Sequence, residues 1–576
     1  MKRIVNNLST VYLDIWDLTI FNVTDKNGKH FNYKIDDPNP NLGQRLSISI
    51  PSEISKQTNF TFVIGFETSP KALAISWLTP QQTSGKKLPY MFTQCESIYA
   101  RSLAPFQDTP SIKSTYTVNT KTIPEITTRV SGNLTHESND TDYRYTRFEM
   151  NIPVQAYLLA IASGNLAERK IGERTFVITE PEELDKVAHE FVDLENFLIE
   201  AENITIPYEW GEYKLLILPP SFPFGGMENP LLTFASPAIV PGDRSSVDVA
   251  IHEIAHSWFG NLVTNNNWTN FWLNEGFTVY LERRVVRNIF GINHMKVTAK
   301  LENQSMYFDM LDYGLNNSYS SLYPIFNGNN PDDAFSTIPY EKGFQFLTFI
   351  ETLIGEDHMT DFLREYLAEF LRKSLGTTDF IDFFRLFIMK IYSSEESKEI
   401  LSKIDFETWI FAPGLPPVTL DFDTPEYNGA INLATDFIDG KADPATAVKI
   451  YRNFTIDLKG LFITHLINNI KQIDDCKAEY IDDTLSISKE INGEVIFRWL
   501  QVAIRSGQLR YPYALADDFV GSIGRMKFII PVYTAIFDQD PSQAKAIYAK
   551  HKDFYHPLAV EGIEKILNGD VALISE

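Results

Sequence analysis

The sequence predicts an α+β multidomain fold, and three observations carry that prediction. Apolar and polar residues alternate with period two through the first third, as in Leu46-Ser47-Ile48-Ser49-Ile50 and Arg147-Phe148-Glu149-Met150-Asn151-Ile152. From about residue 243 the apolar spacing becomes that of helices and stays so to the C-terminus. Within the helical part, Pro413-Gly414-Leu415-Pro416-Pro417 reads as a stiff linker. A chain of 576 residues is long enough for about three or four domains, and an apolar content of 44% supplies ordinary globular cores.

These observations divide the chain into a β-rich N-terminal domain over 1–164, a mixed domain over 165–412, a Pro-rich linker over 413–425 and an α-helical domain over 426–576. The mixed domain opens with strand-like pieces at Phe176-Val177-Ile178 and Leu215-Leu216-Ile217-Leu218 and a helical stretch near 180–202. The C-terminal helices carry no repeat of fixed period, although an irregular helical solenoid leaves little trace of one.

Lys and Arg number 51 against 75 Asp and Glu, a formal net charge of −24. Such a surface repels phosphate backbones and anionic membranes, which argues against nucleic acid as a partner and favours a cationic ligand such as a free amino group. Cys95 and Cys476 form neither a disulfide framework nor a cysteine metal site, and they suit a reducing compartment, the cytoplasm. The start MKRIVNNLSTVYLDIWD lacks the apolar core of a signal peptide, and no run of 18 apolar residues predicts a membrane span. Sequons such as Asn59-Phe60-Thr61 are therefore read as chance.

The chemistry concentrates at HEIAH, residues 252–256. Ser245-Ser246-Val247-Asp248 upstream reads as a capping box and Gly260-Asn261 downstream as a stop, with Val247, Ile251, Ile254 and Trp258 at helical spacing between them. His252 and His256, one turn apart, project from one helix face and can grip one Zn²⁺. Glu253 lies one residue round, within reach of a metal-bound water. A third ligand is supplied by Glu275, on the helix NFWLNEGFTVYLERR that begins near Asn270, with 18 residues separating it from His256. Glu282, seven residues further on the same face, can hydrogen-bond a ligand histidine; the alternative is a solvated carboxylate. Zinc lowers the pKa of bound water toward about 7 and polarises a carbonyl, and Glu253 is placed to carry the proton. STIPYEKG offers the phenol of Tyr340 as an oxyanion donor, but one tyrosine among 26 is not selected by position alone.

Upstream of this helix, SFPFGGMENP (residues 221–230) displays one carboxylate, Glu228, in a stiff turn-forming string of Gly and Pro. On its own it reads equally as a structural loop.

GGMEN at 225–229, HEIAHSWFGN at 252–261, WLNEGFTVYLE at 272–282 and PYEKG at 339–343 resemble the M1 family of zinc aminopeptidases. Trp77-Leu78-Thr79-Pro80, Gln94-Cys95 and the C-terminal stretches Phe497-Arg498-Trp499 and Gly524-Arg525-Met526-Lys527-Phe528 bring the likeness nearest to the branch of leukotriene A4 hydrolase and aminopeptidase B. The resemblance runs from about residue 10 nearly to the end. It implies a β-rich domain, a thermolysin-like zinc catalytic domain and an α-helical solenoid, with the active site in the cleft between them. It implies zinc at His252, His256 and Glu275, Glu253 as general base and Tyr340 on the tetrahedral intermediate. Glu228, helped by Gln94, would bind the substrate's α-amino group. Gly225, Gly226 and Met227 would line the substrate strand, and Arg525 with Lys527 would take the C-terminal carboxylate of a short peptide.

The activity so implied is removal of N-terminal residues from short peptides by attack of a metal-bound water. Hydrolysis of a lipid epoxide of the leukotriene A4 type is the alternative, alone or as a second activity. Asp332 matches the family aspartate tied to water attack on that epoxide. Phe335 departs from the pattern, since the leukotriene hydrolase carries a tyrosine there, which bears on the lipid pocket and not on peptide hydrolysis. The first strands of the family's β-domain are expected to be missing before about Leu13.

Overall fold

The computed structural model describes residues 9–51, 59–507 and 511–569. The expectation about the region before Leu13 falls mostly outside them; the first described strand is Thr10–Ile15. It pairs antiparallel with Gln44–Ser49, with Leu13 opposite Leu46. Alternate residues Val11, Leu13, Ile15, Leu46 and Ile48 turn inward to a small core of their own, as period-two patterning requires. Arg144–Val154 runs between Ser114–Thr122 and Asn133–Asn139 in a second sheet. A third sheet, ordered Ile75–Leu78, Tyr90–Thr93, Ile161–Gly164, Thr127–Val130, buries Ile75, Leu78, Tyr90, Phe92 and Ala162 in the same large core as the middle of the chain. This packing brings the segment after Thr93 to the central cleft.

The middle region begins with a mixed sheet in the order Ala167–Lys170, Thr175–Thr179, Tyr213–Ile217, Thr233–Ala235, Gly226–Met227. Gly226–Met227 is its edge strand, paired antiparallel with Phe234 and Ala235. The expected helix near 180–202 is two helices, Leu184–Glu190 and Leu194–Ile204, because the fully buried Phe191 leaves helical geometry between them.

Four of the middle region's helices pack on one another: α1 (Val247–Ala255), α2 (Trp272–Phe290), α3 (Ile292–Tyr313) and α4 (Ile338–Ile354). A short parallel bridge of Thr264–Asn265 with Ser374–Leu375 interrupts the helical region. Helix α2 is buried on nearly every side from Trp272 to Val286 and packs against α1, α3 and α4. It crosses α4 at two glycines: a Cβ on Gly343 would lie 2.7 Å from Gly276 Cα, so neither position has room for a side chain. The crossing sets how closely Glu275, beside Gly276, approaches Tyr340, three residues before Gly343. Gly343→Ala is expected to force the helices apart and cost about 1–3 kcal/mol, as overpacked cores do. Denaturant unfolding reads this directly, and wild-type stability in that variant would show that the crossing has slack.

The Pro-rich segment is not a free spacer. Lys342 Nζ donates to the carbonyls of Ala412 (3.1 Å) and Gly414 (2.9 Å), and Gly414 N donates to Ser320 O (3.1 Å). A buried ammonium needs such acceptors, so the segment is strapped onto α4. Beyond it, every second helix stacks on the next: Pro425–Ile438 on Ile456–Asn468, that on α5 (Gly493–Arg505), α5 on α6 (Met526–Gln539), and α6 on Pro557–Asn568. The result is a helical solenoid with two cores of its own. Among the described residues no helix is long and apolar enough to cross a membrane.

Candidate active site

Helix α1 is shorter than the sequence suggests. Ser246 precedes it without a side-chain capping bond, so the expected capping box is not formed. The helix ends at Ala255, and His256 follows as its terminal cap with near-helical φ −58°, ψ −21°. A turn then carries the chain to Gly260, whose φ of +115° lies in the left-handed region. Glycine is needed there twice over, because a Cβ would also stand 2.9 Å from His256 Nδ1.

The structure brings His252, His256 and Glu275 together. His252 Nε2 lies 3.1 Å from His256 Nε2, and Glu275 Oε2 lies 3.4 Å from the first and 3.3 Å from the second. Ligand atoms at about 2.0–2.1 Å from a tetrahedral zinc stand roughly 3.3–3.4 Å apart. Glu275 Oε2 is buried and lacks a hydrogen-bond partner, which is how a ligand oxygen looks without its ion. The residues therefore fit zinc. Both imidazoles are held from behind. His252 Nδ1 bonds Glu282 Oε2 at 2.9 Å, and His256 Nδ1 lies 2.9 Å from Phe259 O and 3.0 Å from Thr278 Oγ1. With Nδ1 protonated, each Nε2 lone pair is turned to the metal position. Glu282 is thus a histidine partner and not a solvated carboxylate. Phe259 O and Thr278 were not selected by sequence; Thr278 lies three residues after Glu275, on its face of α2, which was the available signal.

Glu253 is buried, 5% exposed, and burial pushes its carboxyl up to about 8 against the lowering effect of His252 and His256. Gly226 lies directly over it: a Cβ there would sit 2.2 Å from Glu253 Oε1. The edge strand can pass Glu253 this closely only as glycine. Tyr340 is half-buried, its ring stacked on that of His252 at 5.9 Å with Phe271 and Phe335 edge-on. An ion pair of Arg283 with Glu341 (2.7 Å, both buried) ties α2 to α4 beside Glu282 and Tyr340.

Glu228 is 4% exposed, with Oε1 3.9 Å from His256 Nδ1, and its own carbonyl accepts from Asn261 Nδ2 at 2.8 Å. Gln94 is 1% exposed and donates Nε2 to Met227 Sδ at 3.3 Å. Near Glu228 the structure adds Glu96, which sequence reasoning missed. It follows the Tyr90–Thr93 strand two residues after Gln94, and that spacing was the available signal. Burial raises its carboxyl, and Glu228 is the strongest of the neighbouring charges acting on it. Gln94 Oε1, Glu96 Oε1 and Glu228 Oε1 are all buried without a hydrogen-bond partner.

Arg525, which reads as a surface residue on spacing alone, is 6% exposed at the N-cap of α6, and Lys527 follows on the helix. Its guanidinium covers Gly225, where a Cβ would meet Nη2 at 2.8 Å. Asp332 is half-buried and accepts from Ser97 Oγ (2.6 Å) and Tyr99 OH (2.7 Å). It faces a cavity of about 160 Å³ walled by Phe224, Trp268, Phe271, Phe326 and Phe335.

The fold and this site define a zinc metallo-aminopeptidase, and the chain belongs to peptidase family M1: the family's peptidase domain matches residues 191–409 and its N-terminal domain residues 2–158. The leukotriene A4 hydrolase C-terminal domain matches residues 454–567. The chain is 39% identical to a leucine aminopeptidase 2 of Yarrowia lipolytica, over 97% of this chain and 86% of that protein. It is 37% identical to one of Aspergillus terreus, over 98% and 90%. A structure of yeast leukotriene A4 hydrolase with bestatin superimposes with a TM-score of 0.90 at 36% identity, over 98% of this chain and 91% of that one.

Proposed function

We propose that the protein removes the N-terminal residue from short peptides, and that Glu228, Glu96 and Gln94 hold the substrate's α-ammonium group. The observation that carries this reading is the set of three buried acceptor oxygens without partners beside the metal ligands. A buried carboxylate is costly unless paired, and an ammonium brings three donors. Held there, a peptide places its first carbonyl at the metal.

The edge strand Gly226–Met227, paired on one side only, can add the substrate backbone as a further strand. Zinc, when bound by His252, His256 and Glu275, supplies the Lewis acidity and the activated water. Glu253 Oε1 accepts the proton of the attacking water and returns it to the leaving amine. The Tyr340 hydroxyl donates to the developing oxyanion. Arg525 and Lys527 take the terminal carboxylate, and their fixed distance from Glu228 favours short peptides. The net charge of −24 argues for cationic ligands and against nucleic acid. Cys95 and Cys476, both free thiols, suit the cytoplasm.

A peptide panel tests the reading. Free tripeptides should be cleaved, their N-acetylated forms left intact, and chelation should abolish turnover until zinc is restored. Comparable cleavage of an acetylated peptide would remove the amine-binding role.

The aromatic cavity and the doubly hydrogen-bonded Asp332 support a second reading, epoxide hydrolysis of a lipid of the leukotriene A4 type. Asp332 would orient water there, while Phe335 supplies a ring but no hydroxyl. Incubation with that epoxide should yield a dihydroxy acid; none above the non-enzymatic level would end this reading.

A further inference from the structure

Glu494, in the first turn of α5, already occupies the cations that face the cleft. Its Oε1 lies 3.2 Å from Arg525 Nη1 and 3.4 Å from Lys527 Nζ, and its Oε2 accepts from Arg498 Nη1 at 2.8 Å. Lys527 Nζ also lies 3.4 Å from Glu302 Oε1 on α3. Burial opposes ionisation of Glu494, but Lys527, Arg498 and Arg525 together hold its carboxyl well below the usual range. Asp248 on α1 and Asp457 of the solenoid also face this cluster, and burial raises both. Among the groups in direct contact, three cations meet two carboxylates, which leaves one positive charge for an incoming anion.

The orientation of Arg525 shows where that anion enters. Its Nη1 is engaged by Glu494, whereas Nε is buried and without a partner. The guanidinium lies over Gly225, next to the edge strand. One end of the guanidinium is thus held by an internal carboxylate, while its Nε lies unpartnered beside Gly225, a donor left for a second carboxylate.

We propose that Glu494 is a specificity-determining residue: a resident carboxylate on Arg525 and Lys527 that weakens capture of the peptide's C-terminal carboxylate and so sets how strongly the enzyme prefers free-acid over amidated peptides. It rests on the reading that Arg525 receives that carboxylate. Charge is the active variable: Glu494→Gln keeps one acceptor oxygen for Arg525 and Lys527 and removes the competing anion, at the cost of the acceptor that Arg498 uses.

The test is kcat/KM for one tripeptide as free acid and as C-terminal amide, in the zinc-loaded enzyme. The wild type should prefer the acid, and Glu494→Gln should increase that preference by roughly fivefold to tenfold, mainly through a lower KM for the acid. An unchanged or reduced preference in Glu494→Gln, with the wild type preferring the acid, overturns the proposal and leaves the Arg525 reading standing. No preference in the wild type overturns both. If Glu494→Gln is inactive toward both substrates, Glu302→Gln decides: it frees Lys527 in the same way, so a selective fall in KM for the acid supports the proposal and a parallel change in both substrates overturns it.

Discussion

Glu253→Gln is expected to keep one zinc per chain and to lose turnover by roughly 10²- to 10⁴-fold, the range that general acid–base catalysis contributes. The three ligand atoms converge without Glu253, so its loss does not open the ligand set. Glutamine has the same shape, which matters because Gly226 leaves no spare room above Oε1. What disappears is the negative charge and, with it, the ability to accept a proton, which an amide lacks. The effect should therefore fall on kcat, with KM for a free tripeptide near the wild-type value. Metal analysis and steady-state kinetics on the same preparation check it. Turnover within tenfold of wild type would take Glu253 out of the mechanism, and loss of zinc would mean that it holds the metal site together.

Much of this site is legible in the sequence because its parts obey local rules. The spacing of His252 and His256 is a helical turn, and Glu275 and Glu282 are two turns apart on one helix, so helix geometry predicts their common direction. The structure places Glu282 on His252 as that geometry requires. The parts that were not legible depend on long-range packing. Glu96 reaches the cleft because the Tyr90–Thr93 strand packs into the central core, and without that packing its spacing of two residues from Gln94 selects nothing. Arg525 looks like a surface cation until α6 docks against Gly225. Gly276 and Gly343 lie inside helices, where glycine is unfavourable, and the crossing of α2 and α4 explains them.

The same division holds for the fold. Period-two alternation and helical spacing identify the β-rich and helical regions, since each pattern follows from which face is buried. Sequence is weaker where one interaction overrides propensity. Ser246 has a capping side chain but no capping bond. The helical pattern near 180–202 is broken to bury Phe191. Pro413 to Pro417 has a linker's composition, yet Lys342 fastens it to α4.

Glu228→Gln should lower kcat/KM for free peptides by about 10²-fold or more while zinc stays bound, and Glu96→Gln should lower it less. Removing one charged partner of a buried, hydrogen-bonded pair costs about 2–5 kcal/mol, and about 1.4 kcal/mol is tenfold. Glu228 warrants the larger effect because its Oε1 lies 3.9 Å from His256 Nδ1 and it clusters with Glu253 and His256. Glu96 is raised by burial and by Glu228 itself, so the two carboxylates repel until a cation enters. That repulsion gives a second, sharper expectation. If both oxygens bind one ammonium, the double variant should lose less than the product of the single losses, because the first substitution already removes part of what the second acts on. Independent, multiplicative losses would mean two separate roles. An N-acetylated peptide, which is bound but not cleaved, supplies the control as a competitive inhibitor: it has no ammonium, so its Ki should not depend on either residue. Equal weakening of free-peptide turnover and of blocked-peptide inhibition would return SFPFGGMENP to the structural-loop reading that its prolines and glycines first allowed.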